Sequence, residues 1–275
     1  KFAGAVDTLC IEAMMGDKRA LQAGTSHYLG ENFAKAFDVK FQNEKNEEQY
    51  VHATSWGVST RLIGALIMVH GDEKGLRLPP KIAPIQVVIV PIFKNIEQLN
   101  KIKSYLSDFC DFCENTNIRF LLDERKNLSP GFKFNEWELK GVPLRVEIGP
   151  RDLENNSVVI GRRDIEGKTT ANVLKLKDTI KCLLQEIQNN LFNQALEFKE
   201  KHTFNCSSYE EFKILITKGG FVRCGWDGTQ ETENKIKKET KATIRCIPFD
   251  ENIKKLNCIY SNTPAKHEVL FARSY

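Results

Sequence analysis

The chain has 275 residues, of which 41% are apolar, 28% charged and 9 are proline. That is enough for about two domains of roughly 150 residues, and it excludes disordered, collagen-like and coiled-coil classes. Forty basic against 36 acidic side chains leave a formal charge of +4, which excludes a protein that coats nucleic acid through bulk charge, so any RNA contact must come from placed side chains.

The longest apolar runs, residues 62–69 and 87–92, fall well short of the ~20 residues a membrane span needs, so no membrane partner is expected. Nothing at the start reads as a signal peptide. The eight cysteines are spaced too irregularly for a disulfide scaffold, which points to free thiols in a reducing, cytoplasmic compartment. The chain opens on Lys1-Phe2-Ala3-Gly4 with no initiator methionine and reads as a piece of a longer protein.

In chain order, residues 7–15 and 19–27 read as two strands, and 29–37 has helical spacing after a Ser26-His27 entry. Residues 39–42 and 50–55 read as strands joined by the charged connection 43–49, and 61–70, apolar on nearly all sides, as a buried helix. Gly75-Leu76-Arg77-Leu78-Pro79-Pro80 ends that pattern, because paired prolines continue neither a helix nor a central strand; a domain boundary is placed near Pro84. Strand 86–93, helix 96–115 and strand 118–123 then form a βαβ unit, followed by strands 143–148 and 157–162 and a long amphipathic helix over 174–201. Helices 209–218 and 232–241 alternate with short strands 221–223 and 243–248. The fold class expected is α/β, α+β overall, in three parts: 1–84, 85–187 and 188–275.

Three stretches could carry chemistry. In Thr54-Ser55-Trp56-Gly57-Val58-Ser59-Thr60-Arg61, Gly57 permits close approach to a strand, and Arg61 opens an apolar helix whose core cannot absorb a guanidinium. Arg61 needs an anionic or aromatic partner, or it sits in a local salt bridge of a capped helix. Gln22-Ala23-Gly24-Thr25-Ser26-His27-Tyr28-Leu29-Gly30 reads as a polar turn, either a phosphate, metal or small-substrate pocket or a helix N-terminus capped by Ser26 with His27 at the surface. The third runs from Ser129 through Phe134, Trp137, Glu138 and Lys140 to Arg145, then Gly149-Pro150-Arg151-Asp152. Its rings and cations suit unstacked bases; equally, Phe134 and Trp137 suit the core side of a helix, with Glu138 and Lys140 solvated.

Together with Lys1-Phe2-Ala3-Gly4-Ala5 and Ile11-Glu12-Ala13, these stretches closely resemble the prolyl-tRNA synthetases, class II aminoacyl-tRNA synthetases, over essentially the whole chain. Residues 57–61 and their helix resemble class II motif 3, Pro79-Pro80-Lys81-Ile82-Ala83-Pro84-Ile85-Gln86 the domain junction, and Arg273-Ser274-Tyr275 the C-terminus. The resemblance implies the end of an antiparallel-sheet catalytic domain over 1–84, a mixed-sheet α/β anticodon-binding domain over 85–187, and a small α/β C-terminal domain over 188–275. It implies Arg61 against the phosphates and adenine of ATP, Gln22 and Thr25 in contact with ATP, Gln22 near its Mg²⁺, and Ser59 lining the same site. Arg61 and Gln22 are then the implied catalytic residues, and Phe2 and His27 line a proline pocket.

The implied reaction joins L-proline and ATP into prolyl-adenylate and transfers the prolyl group to tRNA-Pro, by orientation and electrostatic stabilisation and without a side-chain nucleophile. Motif 1, motif 2 and the carboxylate for the proline amine are expected upstream of Lys1, so the chain alone is expected to be inactive and the full-length protein a homodimer. Glu138, Arg145, Arg151 and Asp152 fall where the family reads the guanines of the proline anticodon.

Of the family's C-terminal zinc cysteines, the first of each pair is kept at Cys224 and Cys258; the second is replaced by Thr229 and by Tyr260 or Ser261, so no zinc is expected. Cys110 and Cys113 read as a pair on one helix face and Cys246 as a small apolar residue. The carboxylate of Tyr275 is implied to return toward the active site, against a frayed terminus. The alternatives are a non-catalytic tRNA-binding relic and another class II enzyme such as the threonyl or glycyl synthetase.

Overall fold

The polar turn expected over residues 22–30 is a strand. In the computed structural model, which describes residues 2–250, 252–253 and 256–275, β1 (Asp7–Met14) pairs antiparallel with β2 (Ala20–Gly30), so Ser26 and His27 lie inside the ladder, opposite Leu9 and Thr8. A side-chain cap is worth about 1 kcal/mol, and a ladder on both edges of β2 outweighs it. Helix α1 (Asn32–Phe37) starts later, after Glu31, without a side-chain cap. The ribbon β3 (Lys40–Gln42) and β4 (Glu48–Tyr50) follows, then β5 (Ala53–Gly57), which completes the order β1-β2-β5.

Helix α2 (Arg61–His70), expected to be buried, is covered on one side only within these 275 residues. Ala65 is its one buried residue, whereas Leu62, Ile63, Ile67 and Met68 are 37%, 64%, 46% and 36% exposed. Only one side of α2 meets apolar partners: Ala65 packs with Met15 and Leu21, against Ala13, Ala23 and Val69. Composition reports how apolar a helix is, not how many neighbours it has.

The next segment builds a mixed sheet. Every residue of β6 (Val87–Pro91) is buried, as a parallel strand covered on both faces requires. The expected helix over 96–115 divides into α3 (Ile96–Tyr105) and α4 (Ser107–Asn115) at the buried Leu106, where the Ser107 hydroxyl donates to the Ser104 carbonyl at 2.8 Å. Then come β7 (Phe120–Leu122), α5 (Pro130–Leu139), β8 (Leu144–Ile148), α6 (Pro150–Glu154), β9 (Ser157–Arg162) and β10 (Lys168–Asn172). The order is β10-β9-β8-β6-β7, with β6 parallel to both its neighbours and β9 and β10 antiparallel. Ile180, Leu184 and Ile187 of α7 (Leu176–Lys201) close one face over Ile89, Val146 and Ile160.

The last segment holds β11 (Thr203–Asn205), α8 (Tyr209–Lys218), β12 (Phe221–Trp226), α9 (Gln230–Thr240), β13 (Thr243–Cys246) and β14 (His267–Ala272), in sheet order β11-β12-β14-β13. The strand expected over 243–248 ends at Cys246, two residues before Pro248, which has no N–H for a ladder. Phe212 and Phe271 meet edge to face at 5.3 Å in its core.

These elements group into two compact units: residues 70–197 form one, and the segments before and after them form the other. Within the second, Arg245 of β13 donates to both carboxylate oxygens of Glu12 in β1 at 3.0 Å, and the Ala20 amide donates to the Arg273 carbonyl at 2.8 Å.

Candidate functional sites

Arg61 is the first residue of α2, where the chain leaves β5. Its backbone amide donates to Ser59 Oγ at 3.3 Å, and its Nη1 donates to the Gln22 carbonyl on β2 at 3.4 Å. Thr25 pairs with Gly57 in the same sheet. The fold therefore brings Gln22 of β2, Ser59 of the β5–α2 connection and Arg61 of α2 together, and Arg61 and Gln22 are exposed. No carboxylate pairs with Arg61 among the described residues, which removes the local salt bridge considered from the sequence. At the far end of β2, His27 Nδ1 lies 3.0 Å from Thr8 Oγ1, and its ring is 4.7 Å from that of Phe2, with Phe33 6.3 Å beyond Phe2. Phe2 and His27 are thus brought together, with Phe2 48% exposed.

In the other unit, two of the cavities hold Arg145, Arg151 and Asp152. Ser129 caps α5 by accepting from the Phe132 amide at 3.3 Å, with Pro130 in the first turn, and this sets the direction in which Phe134, Trp137 and Glu138 leave the helix. Trp137 is buried and its Nε1 donates to Asp123 at 2.8 Å. Burial would raise the Asp123 carboxyl, but hydrogen bonds from Arg125 and Trp137 outweigh it and hold the group well below the usual carboxylate range. Trp137 is therefore chiefly a core residue.

A cavity of about 370 Å³ opens beside it, lined by Glu138, Arg145, Gly161, Arg163 and Lys168. Arg145 Nε donates to Glu147 Oε1 at 2.9 Å and Lys168 Nζ to Glu147 Oε2 at 2.8 Å. A second cavity, of about 470 Å³, lies at the C-terminal ends of β6 and β8 and is lined by Phe93, Lys94, Gln98, Arg151 and Asp152. Asp152 Oδ2 accepts from the Gly149 amide at 2.7 Å. Glu138 and Arg145 thus share one cavity, Arg151 and Asp152 the other. Sequence reasoning missed Glu147, Gly161 and Lys168. The one available signal was the opposite charges at Arg145 and Glu147, two apart and so on one strand face.

Cys224 and Cys258 are buried, and burial pushes the Cys224 thiol up. The hydroxyls of Thr229 and Ser261 both donate to Asp227, at 2.8 Å each, while Tyr260 donates to Glu239 at 3.1 Å. Among the described residues no three His, Cys, Asp or Glu side chains are grouped to hold a metal ion. Burial raises the thiol of Cys113 to about 12 and that of Cys246 to about 11. Tyr275 is docked, its hydroxyl donating to Asp17 and its ring lying 5.4 Å from the Arg19 guanidinium. Among the described residues no helix is long and apolar enough to cross a membrane.

Residues 86–183 match the family described as "Anticodon binding domain", and residues 209–275 that described as "Prolyl-tRNA synthetase, C-terminal". Along its whole length the chain is 55% identical to a proline–tRNA ligase of Cytophaga hutchinsonii, 52% to one of Porphyromonas gingivalis and 51% to one of Flavobacterium johnsoniae. All of this chain is covered in each comparison, against 56% of each relative, so it spans little more than half the length of the curated proteins it matches. Matched from end to end at this level, and over two domains that carry the family's own descriptions, the chain belongs to the prolyl-tRNA synthetase family as part of such a protein's length.

Proposed function

We propose that the whole protein is an ATP-dependent, AMP-forming proline–tRNA ligase, and that this chain supplies its motif 3 arginine, its anticodon-binding domain and its C-terminal domain. The observation that carries the reading is Arg61: an exposed guanidinium with no carboxylate partner among the described residues, donating to the Gln22 carbonyl, while the Ser59 hydroxyl accepts from the backbone amide of the same residue. A cation left without a counter-charge next to hydroxyl and amide groups fits a nucleoside triphosphate. ATP would supply the adenylyl group that activates the proline carboxylate, with pyrophosphate as the leaving group, and Mg²⁺ would neutralise phosphate charge. Arg61 would hold that nucleotide together with Thr25 and Ser59, with Gln22 on the Mg²⁺ side, and Phe2 with His27 would pack and orient the proline ring. No side chain is asked to act as a nucleophile; the residues bind and orient.

On the same reading Glu138 and Arg145, and separately Arg151 and Asp152, read anticodon guanines of tRNA-Pro: a carboxylate accepts from N1 and N2, and an arginine donates to O6 and N7. The protein then works in the cytoplasm, as a homodimer in its full-length form. The test is proline-dependent ATP–pyrophosphate exchange by the full-length protein, run beside threonine and glycine. Arg61→Ala is expected to lower proline-dependent exchange by roughly a hundredfold or more. Exchange that follows threonine or glycine, or none with any of the three, overturns the assignment. Independently, Arg145→Ala is expected to weaken tRNA-Pro binding about tenfold in a filter-binding titration with ATP binding unchanged; full tRNA affinity in that variant removes Arg145 from the site.

A further inference from the structure

Arg145, Gly161 and Lys168 lie in one row across three strands: Arg145 of β8 pairs with Gly161 of β9, and Gly161 pairs with Lys168 of β10. The middle place has no side chain, so the two long cationic chains lean over bare backbone. Glu147, two residues along β8 from Arg145, takes Arg145 on Oε1 and Lys168 across both carboxylate oxygens, 2.8 Å from each, with its own side chain only 8% exposed. The Phe134 ring lies against both cations, 4.7 Å from the Arg145 guanidinium and 4.8 Å from the Lys168 ammonium. Gly161 has no positive φ and is paired on both edges, so its backbone does not call for glycine. The room does: a Cβ there would stand 3.2 Å from Arg145 Nη2 and 3.6 Å from its Cζ.

We propose that Glu147 is a positioning residue and Gly161 a steric specificity determinant for guanine in the cavity beside them. The proposal rests on the reading of that cavity as an anticodon-base site. Binding through Nε turns the plane of the Arg145 guanidinium and presents its remaining N–H edge to a ligand with two adjacent acceptors, the N7 and O6 of guanine. The same carboxylate holds Lys168 in the same pocket, and Gly161 leaves the floor flat enough for the guanidinium to stay in place. A glutamine at 147 carries no charge and replaces one acceptor oxygen with an NH₂ that repels a cation, so Lys168 loses one of its two contacts and the hold on both cations weakens.

The experiment uses the full-length protein and the anticodon stem-loop of tRNA-Pro, with guanine or 7-deazaguanine in turn at each anticodon guanine, in filter-binding titrations. Removing N7 at the base that Arg145 reads is expected to weaken the unmodified protein about tenfold. In Glu147→Gln and in Gly161→Ala that ratio is expected to fall to about twofold, with Glu147→Asp recovering part of it. A role in stability alone would lower binding of both RNAs together and leave the ratio untouched. Should Glu147→Gln melt early, Gly161→Ala and Glu147→Asp carry the same comparison. A full wild-type ratio in the folded variants overturns the proposal while the anticodon reading stands. If the unmodified protein shows no penalty at any guanine, or Arg145→Ala binds the stem-loop at full strength, the anticodon reading itself falls and the proposal with it.

Discussion

Asp227 shows how one carboxylate can replace a more familiar fastening. It accepts from the Thr229 amide at 3.0 Å, the Thr229 hydroxyl at 2.8 Å, the Thr232 hydroxyl at 2.6 Å and the Ser261 hydroxyl at 2.8 Å, tying the start of α9 to the loop after Cys258. Burial alone would raise its pKa; the hydrogen bonds outweigh burial and hold it well below the usual carboxylate range. A depressed folded pKa gives stability that is complete above the unfolded carboxylate value and lost as pH falls through the folded one. Asp227→Asn is therefore expected to cost about 1–3 kcal/mol at neutral pH and progressively less below about pH 4, read from urea denaturation at both pH values; an equal loss at both would contradict this. The sequence showed hydroxyls where cysteines were expected, but not that a carboxylate stands between them, because that contact joins residues 34 apart. Asp123 makes a second case: Lys133, 2% exposed, donates to its carbonyl at 2.9 Å and lies 3.5 Å from its carboxylate. Asp123→Ala leaves that ammonium buried without its counter-charge and is expected to cost about 3–5 kcal/mol, whereas Lys133→Met is expected to cost far less; equal midpoints in denaturant would refute the difference.

At the scale of elements, what could be read depended on whether the pattern was local. The buried run in β6 and the long amphipathic α7 were legible because their periodicity lies within one segment. β10 and β11 were not, being short or, like Lys168–Asn172, largely exposed, so that pairing rather than composition makes them strands. α2 failed in the other direction, since an apolar helix covered on one side has the same sequence as one covered on all sides. The end of α5 was legible in kind but not in consequence. Gly141 follows it at φ 74°, and a Cβ there would sit 2.6 Å from the Leu76 carbonyl carbon, while the Leu78 amide donates to the Gly141 carbonyl at 3.1 Å. Gly141→Ala should thus cost about 1–3 kcal/mol. Because α5 carries Phe134 and Glu138, it should also weaken the anticodon stem-loop more than ATP; thermal melting with parallel binding titrations would show this, and unaltered melting would contradict it.

For the molecule as a whole, the balance of charge was legible and its pairing was not. The Arg245–Glu12 contact spans 233 positions, a separation no local pattern encodes, and the cavity proposed to read bases is likewise lined from α5, β8, β9 and β10. Around that cavity the cations are already matched within the protein: Arg145 and Lys168 with Glu147, Arg162 with Asp164 and Glu186, Arg163 with Asp72, and Lys74 with Glu138 and Glu166. Matched cations release few counterions when RNA binds, since a phosphate must compete with a carboxylate that is already seated. Each phosphate neutralised contributes a slope of about −0.7 for single-stranded RNA in a plot of log affinity against log salt. A surface that tracked the backbone would neutralise many; this one, at net +4, should neutralise roughly three or four and give a slope of about −2 to −3. Filter binding of the anticodon stem-loop across a salt series measures it directly. A slope steeper than about −6 would mean that phosphates supply most of the affinity and that the paired cations exchange their carboxylates for RNA. A shallow slope that survives when an anticodon guanine is changed, with affinity falling at every salt concentration, is the result that base reading by placed side chains requires.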